Sequence, residues 1–321
     1  MRRELRKIMK YRKFGQSGLN TSVISVGGWK NFGNRLSDVE TDTIIRHAVD
    51  HGITTFDTAD VYGPAEAAMG KVFNTLDRDK LVICTKCYWP MSDDVNDRGL
   101  SRKHIRASVE KSLQNLQTDY IDIFLCHRFD ESTPLQETIR TFDDLIREGK
   151  ILYWGTSAWT AEQITAAFEI CHRMGFEPPI TEQAEYSLVE RQYVESKLSP
   201  ILSKNGLGLM CWSPLASGIL AGKNLDQGIS PSSLIGTYST QMRDKYHNEA
   251  NVERAKQLSL LSHELDVPMA TLSLSWLMAQ PHVSNIVVGV SSLEQLQSNI
   301  AASDFVLTAN IRNAVEEIFS Y

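Results

Sequence analysis

Long apolar runs are missing from this 321-residue chain. None reaches the roughly 18 residues that mark a membrane-spanning helix, which excludes a helical bilayer crossing. An excess of basic charge is missing as well. Lys and Arg total 33 against 39 Asp and Glu, a net charge of −6, which speaks against nucleic acid or an anionic membrane surface as partner. Cysteine is scarce: Cys84, Cys87, Cys126, Cys171 and Cys211 are odd in number and widely spread. The basic start MRRELRKIMKYRK has no apolar signal-peptide core. Together these features predict reduced thiols and a cytoplasmic location. Cys84 and Cys87 form a CxxC, but within LVICTKCYW, which reads as a strand. Residues three apart on a strand face opposite ways and do not share a bridge or a metal. No GxGxxG follows an early strand, so a Rossmann-type dinucleotide site is not expected.

What the chain has is alternation. Apolar runs at 23–26, 53–57, 81–86, 120–127, 151–157, 181–186, 208–213 and 285–290 read as strands, with amphipathic segments between them. Ile105, Val109, Leu113 and Leu116 share one helical stripe, as do Leu135, Ile139, Phe142 and Ile146. Thr133, Pro134 and Gln136 read as N-cap, first helical position and capping-box partner, and Gly149 as the stop. About eight strand–helix units in roughly 300 residues fit a closed (β/α)8 TIM barrel better than an open sheet. Ser17, Gly18 and Asn20 predict a β-hairpin over 11–22, ahead of the barrel. The stretch 215–246, rich in Gly, Ser and Asn, predicts a long loop after the seventh strand. Residues 1–10 read as a basic, flexible leader and 11–321 as a single barrel domain.

In such a barrel the carboxyl ends of the strands converge on one mouth. Asp57 ends the second strand, with Tyr62 in its loop; Lys86 ends the third and His127 the fourth. Polar groups at successive strand ends are costly as plain core, and Asp57 and Lys86 on neighbouring strands can satisfy each other. A bare cation about 4 Å from a phenol, at an effective dielectric near 20, favours phenolate by roughly 4 kcal/mol. That is about 3 pKa units, enough to bring Tyr62 from about 10 toward neutrality as a general acid. A neutral His127 could donate a ring N–H to a carbonyl oxygen. The set suits giving a proton to that oxygen as negative charge develops on it. Reduction also needs an electron source, so a hydride-carrying cofactor is implied.

Barrels hold phosphate in the loops after the seventh and eighth strands. There VVGVSSLEQLQSN offers Gly289 for close backbone approach, and Ser291 and Ser292 ahead of a helix start. The alternative is that Ser291 with Glu294 is only a capping box. Trp212-Ser213-Pro214-Leu215-Ala216-Ser217-Gly218, followed by Lys223, gives a second phosphate-facing loop. Gln183 and Tyr186 lie on the sixth strand, where Tyr186 either stacks on a nicotinamide ring or packs in the core. Trp29, Tyr88, Trp89 and Phe129 either line an aromatic pocket or belong to the core.

Asp57, Tyr62, Lys86 and His127, in that order, carry a resemblance to the aldo-keto reductase superfamily. GLSRKHIRASVEKSLQNLQTDYID, YWGTSAW, ITEQAEYS and WSPLASGILAGK narrow it to the branch of the voltage-gated potassium-channel β subunits and their plant and microbial relatives. The resemblance implies a barrel that binds NADPH (NADP+) and reduces small aldehydes or ketones. It implies Tyr62 as proton donor, Lys86 and Asp57 as its tuning pair, and His127 as the group that orients the carbonyl. It implies Ser157 and Gln183 at the carboxamide. Trp29, Asp57, Trp212, the 213–218 loop, Lys223, Gly289, Ser291, Gln295 and Asn299 would hold the rest of the cofactor. Tetramers occur in this branch, so a homo-oligomer is implied too.

Two departures from the branch matter. Animal channel subunits usually carry Asn where His127 stands, and a His there favours a working reductase. Gln295 stands where an Arg would meet a 2′-phosphate, and 230–238 holds no Arg, which weakens the preference for NADPH over NADH. The competing reading is a cofactor-bound regulatory subunit that docks on a channel and senses redox state. No docking surface is legible in the sequence.

Overall fold

Turn-forming residues decide the first element. β1 (Tyr11–Lys13) and β2 (Asn20–Ser22) pair antiparallel, Tyr11 opposite Ser22, around Ser17 and Gly18. The computed structural model describes residues 9–225, 228–231, 233 and 235–320. Residues 1–8 of the expected leader lie outside the described residues. Its last two belong to the fold: Met9 is buried beside Gly52, and Lys10 O accepts from Val23 N at 2.9 Å. The hairpin closes the bottom of the barrel. Phe14, at its turn, is fully buried with Val82, Cys84, Ile123, Leu125, Met210 and Val287. Arg12 ties the hairpin down by donating to Val283 O at 2.7 Å and to Met278 O at 2.5 Å.

The barrel strands are β3 (Ile24–Gly27), β4 (Thr55–Asp57), β5 (Val82–Cys87), β6 (Ile121–Cys126), β7 (Ile151–Ser157), β8 (Thr181–Glu185), β9 (Gly208–Trp212) and β10 (Val283–Gly289). Every neighbouring pair is parallel, and β10 lies beside both β9 and β3, so the ring closes. This is the (β/α)8 barrel that the alternation predicts. One helix follows each of the first six barrel strands: α1 (Asp38–Asp50), α2 (Ala65–Phe73), α3 (Arg102–Leu116), α4 (Leu135–Arg147), α5 (Ala161–Met174) and α6 (Ser199–Asn205). Between β9 and β10 come α7 (Thr240–Tyr246), α8 (Glu249–Glu264) and α9 (Met269–Met278). After β10 come α10 (Leu293–Ala301) and α11 (Ala309–Ile318). Among the described residues no helix is long and apolar enough to cross a membrane.

Strand alternation sorts side chains into two cores. Cys84 joins the barrel interior around Phe14, while Cys87 faces the helices. All five thiols are free and buried. Gly155 marks a close approach in the interior: a Cβ there would lie 2.5 Å from Thr181 O and 2.8 Å from Leu125 Cδ2.

Two local expectations change. The α4 stripe is buried at Ile139 and Phe142, and Gly149 follows the helix with φ +72°. Its start differs, because Thr133 does not cap: Thr133 Oγ1 donates instead to Asp130 Oδ2 at 2.7 Å, leaving Pro134 at the cap. That bond turns the hydroxyl toward the Asp130 carboxylate rather than toward the N–H groups of the helix start. The 215–246 segment is not a plain loop either. Short 3-10 turns cover Ala216–Ala221 and Ile235–Thr237 before α7 closes it. Turns this short show no apolar period.

Candidate active site

Parallel crossovers bring the carboxyl ends of β4, β5 and β6 side by side. Lys86, fully buried, donates to Asp57 Oδ1 at 2.7 Å, Asp57 Oδ2 at 2.8 Å and Thr58 O at 2.6 Å. An ammonium has three protons, so all of them are engaged. Burial is the largest influence and works against the charge on Lys86, but Asp57, Tyr62 and Cys84 together outweigh it and the ammonium's pKa is raised. Asp57 Oδ1 also accepts from Gln183 Nε2 at 2.7 Å, reaching across the barrel from β8. His127 follows β6 directly and is buried; its ring meets that of Tyr62 edge-on with centroids 5.7 Å apart. Lys86 Nζ lies 5.1 Å from the Tyr62 ring centroid. The four residues singled out from the sequence thus meet at one place.

The electrostatics of the phenol differ from the bare-cation expectation. Burial raises the Tyr62 pKa above its ordinary value; Lys86 pulls it down and Asp57 pushes it up again. A cation chelated by a carboxylate presents a dipole rather than a charge, and its field falls off faster. The expectation of a phenol lowered toward neutrality is therefore corrected: burial holds the Tyr62 pKa above its ordinary value rather than below it. His127 behaves as the donor role requires. Burial, then the charges of Lys86 and Arg128, drive its pKa down to about 2, so the ring is neutral. Its buried Nδ1 has no hydrogen-bond partner among the described residues.

Two aromatic residues border this mouth. The Trp89 ring stands edge-on to His127 at 6.2 Å and to Tyr88 at 5.2 Å. Phe129 instead leans on the buried Trp159, centroids 4.8 Å apart, and belongs with the core. Tyr186 is core as well: its hydroxyl donates to Glu195 Oε1 at 2.9 Å and its ring packs on Trp276. The stacking role considered for Tyr186 is thereby excluded.

Sequence reasoning passed over two residues here. Arg128 follows His127 and is half-buried. Its guanidinium carbon lies 5.6 Å from the Trp89 ring centroid, and Nη1 donates to His127 O. An Arg just past a strand ordinarily reads as solvated, and adjacency to a strand-terminal His was its only signal. Glu182 on β8 is fully buried and faces away from Gln183 by strand alternation. Burial pushes its pKa up to about 8 against the bonds from Thr156 Oγ1 at 2.5 Å and Trp159 N at 3.2 Å.

The opposite side of the mouth is built differently. Past Trp212, the residues Ser213, Ala216, Ser217 and Gly218 have φ of +52°, +45°, +57° and +101°. Left-handed backbone at three non-glycine positions is strained, and such runs collect at functional sites. Pro214 and Leu215 lie within this loop. A Cβ at Gly218 would stand 3.0 Å from Lys223 Cδ, so the Lys223 stem lies over the loop. Lys223 is exposed, with no ion pair among the described residues. Lys30 Nζ sits 4.7 Å from the Trp29 ring and 4.8 Å from the Tyr238 ring, joining the segments that follow β3 and β9. Trp29 is 41% exposed.

At the end of β10 Gly289 is exposed, and beyond it Ser292 rather than Ser291 caps α10 by accepting from Gln295 N. Gln295 Oε1 reaches back to Ser291 N at 3.1 Å and Ser291 Oγ at 3.2 Å. The Ser291–Glu294 capping box is thus not formed: Ser292 caps the helix, and Gln295 bonds Ser291 rather than the N–H of the cap. Asn299 lies about 10 Å further along the helix axis and is buried. Ser157 ends β7 opposite Gln183 in the strand register. An exposed hydroxyl, a glycine, an exposed ammonium and a helix start in adjacent loops fit the phosphate groups of a dinucleotide.

Comparison with known proteins agrees with this geometry. The model of the aldo/keto reductase family matches residues 23–319. A protein of Arabidopsis thaliana with the name probable voltage-gated potassium channel subunit beta is 39% identical; the match covers 97% of this chain and 96% of that protein. A rice protein of the same name is 38% identical, over 97% and 96%. A Schizosaccharomyces pombe protein with a similarly provisional channel-subunit name is 36% identical, over 98% and 94%. The family is one of oxidoreductases that act on small molecules with a nicotinamide cofactor. With the strand-end set in place and the match running over nearly the whole barrel, the chain belongs to the aldo/keto reductase family.

Proposed function

We propose that the protein reduces aldehydes or ketones to alcohols with NADPH. The observation that carries this reading is the meeting of Tyr62, His127 and the Asp57-chelated Lys86 at one mouth. When bound, the reduced nicotinamide supplies a hydride to the carbonyl carbon. Tyr62, protonated at rest, gives its proton to the carbonyl oxygen. The phenolate left behind is stabilised chiefly by Lys86, the cation that acts most strongly to lower the Tyr62 pKa. His127, neutral, orients that oxygen through a ring N–H. Asp57 holds Lys86 in place and keeps the buried ammonium charged.

Ser157 and Gln183 are the residues we assign to the carboxamide. Trp29, Trp212, the 213–218 loop, Lys223, Gly289, Ser291, Gln295 and Asn299 would hold the remainder of the cofactor. Lys223 is the cation we assign to the phosphates. With Gln295 in place of an Arg, discrimination against NADH is modest. Buried free thiols fit a reducing, cytoplasmic compartment. A second reading comes from the relatives' names, that of a potassium-channel β subunit; in that reading we would have the chain hold the cofactor and assemble as a homo-oligomer. The neutral His127 beside a protonated Tyr62 favours turnover over a purely regulatory role.

Purified protein is expected to oxidise NADPH in the presence of a nitrobenzaldehyde. Cofactor binding without turnover across a broad aldehyde panel would favour the regulatory reading.

A further inference from the structure

Two cations on the inner side of the mouth have a counter-charge. Lys86 is chelated by Asp57, and Lys245 donates to Glu185 at 2.6 Å. Arg128 is different. Its one hydrogen bond among the described residues goes to a carbonyl, His127 O, and no described carboxylate lies within ion-pair distance. The neighbouring acids are engaged or uncharged. Glu185 holds Lys245 and the Tyr246 hydroxyl. Glu182 is buried on the far face of β8, and its pKa of about 8 keeps it mostly protonated at neutrality.

The guanidinium is half-buried and packs near Trp89, which restrains it by cation–π attraction. A fork of five donors that serves a single carbonyl has capacity for a carboxylate, whose geometry it matches. The position is specific. Arg128 adjoins His127, the residue assigned to the carbonyl oxygen. It also lies across the mouth from the loop after β10: β6 and β10 are four strands apart in either direction around the ring, so they stand opposite each other.

We propose that Arg128 anchors a carboxylate on the carbonyl substrate, so that the preferred class is aldehydes and ketones bearing an acidic group. The proposal rests on the reductase reading above and names its substrate class. The probe pair is 3-formylbenzoate and its methyl ester, which differ in charge but not in the reacting group. The readout is the acid-to-ester ratio of kcat/KM. It is expected to fall about 10- to 100-fold in Arg128→Met and to recover in part in Arg128→Lys. A second readout needs no turnover: isophthalate should bind the NADP+-loaded protein in calorimetry, and Arg128→Met should abolish that binding. An unchanged ratio in a folded Arg128→Met would overturn the proposal. So would a loss of NADPH affinity at constant ratio, which would give Arg128 to the cofactor. Failure of the wild type to reduce either compound would sink the reductase reading instead, and the isophthalate titration would still decide whether Arg128 is an anion site.

Discussion

The two sides of the mouth are held by different means. On the β4–β6 side Lys86 has every proton engaged, Asp57 is bonded from two directions, and the catalytic candidates are buried or half-buried. On the β9–β10 side the loop runs through left-handed backbone, Lys223 is exposed, and the hydroxyl of Ser291 satisfies itself on Gln295. The first arrangement is held by the protein's own groups, so its geometry needs little reorganisation during reaction. The second keeps its donors at the surface, where a large anionic ligand can reach them. A rigid chemical side and an accessible binding side divide the work between them.

Removing Lys86 tests the rigid side hardest. Lys86→Met leaves Asp57 buried without its cation, a change that typically costs about 3–5 kcal/mol, and turnover should vanish with it. Chemical denaturation and NADPH oxidation read the two effects; a stable, active variant would break the contrast. Tyr62→Phe comes next. Turnover should fall by about 10²–10⁴-fold, the usual worth of a positioned general acid, with cofactor affinity nearly unchanged in a fluorescence titration. A wild-type rate would remove Tyr62 as the proton donor.

A pH series probes the strand between the two sides. Glu182 has a folded-state pKa raised from 4.5 to about 8. The folded state therefore holds this proton more tightly than the unfolded chain. That contribution to stability is fully present below about pH 4.5 and is lost as pH rises through about 8. Glu182→Gln should flatten this fall in denaturation midpoints, and an unaltered slope would mean the carboxyl is not desolvated as described. Lys223→Ala is the mildest change. It should leave stability untouched and weaken NADPH by about 3- to 10-fold, more than NADH, by calorimetry. Equal loss for both cofactors would place Lys223 on the shared pyrophosphate.

The strands were legible because barrel strands are apolar and β-branched over a clear length, and the residues Asp57, Lys86 and His127 stood out as polar groups ending such runs. What stayed hidden depended on distance rather than on residue type. That Lys86 is chelated, and so cannot act on Tyr62 as a free charge, follows from three short contacts which no spacing reveals. The facing of Tyr186 depends on how β8 ends, and the capping choice at α10 on one residue of backbone. Arg128 was invisible for the same reason: its importance is the lack of a nearby carboxylate.

The hairpin also has a consequence for how the chain acquires its shape. Arg12 grips the carbonyls of Met278 and Val283, partners 266 and 271 positions downstream. Phe14 needs walls contributed by strands as late as β10. A growing polypeptide must therefore carry its first turn unseated until nearly the last segment leaves the ribosome. Such distant pairing slows folding and lengthens the exposure of apolar surface, which makes the final strand the step that commits the whole ring.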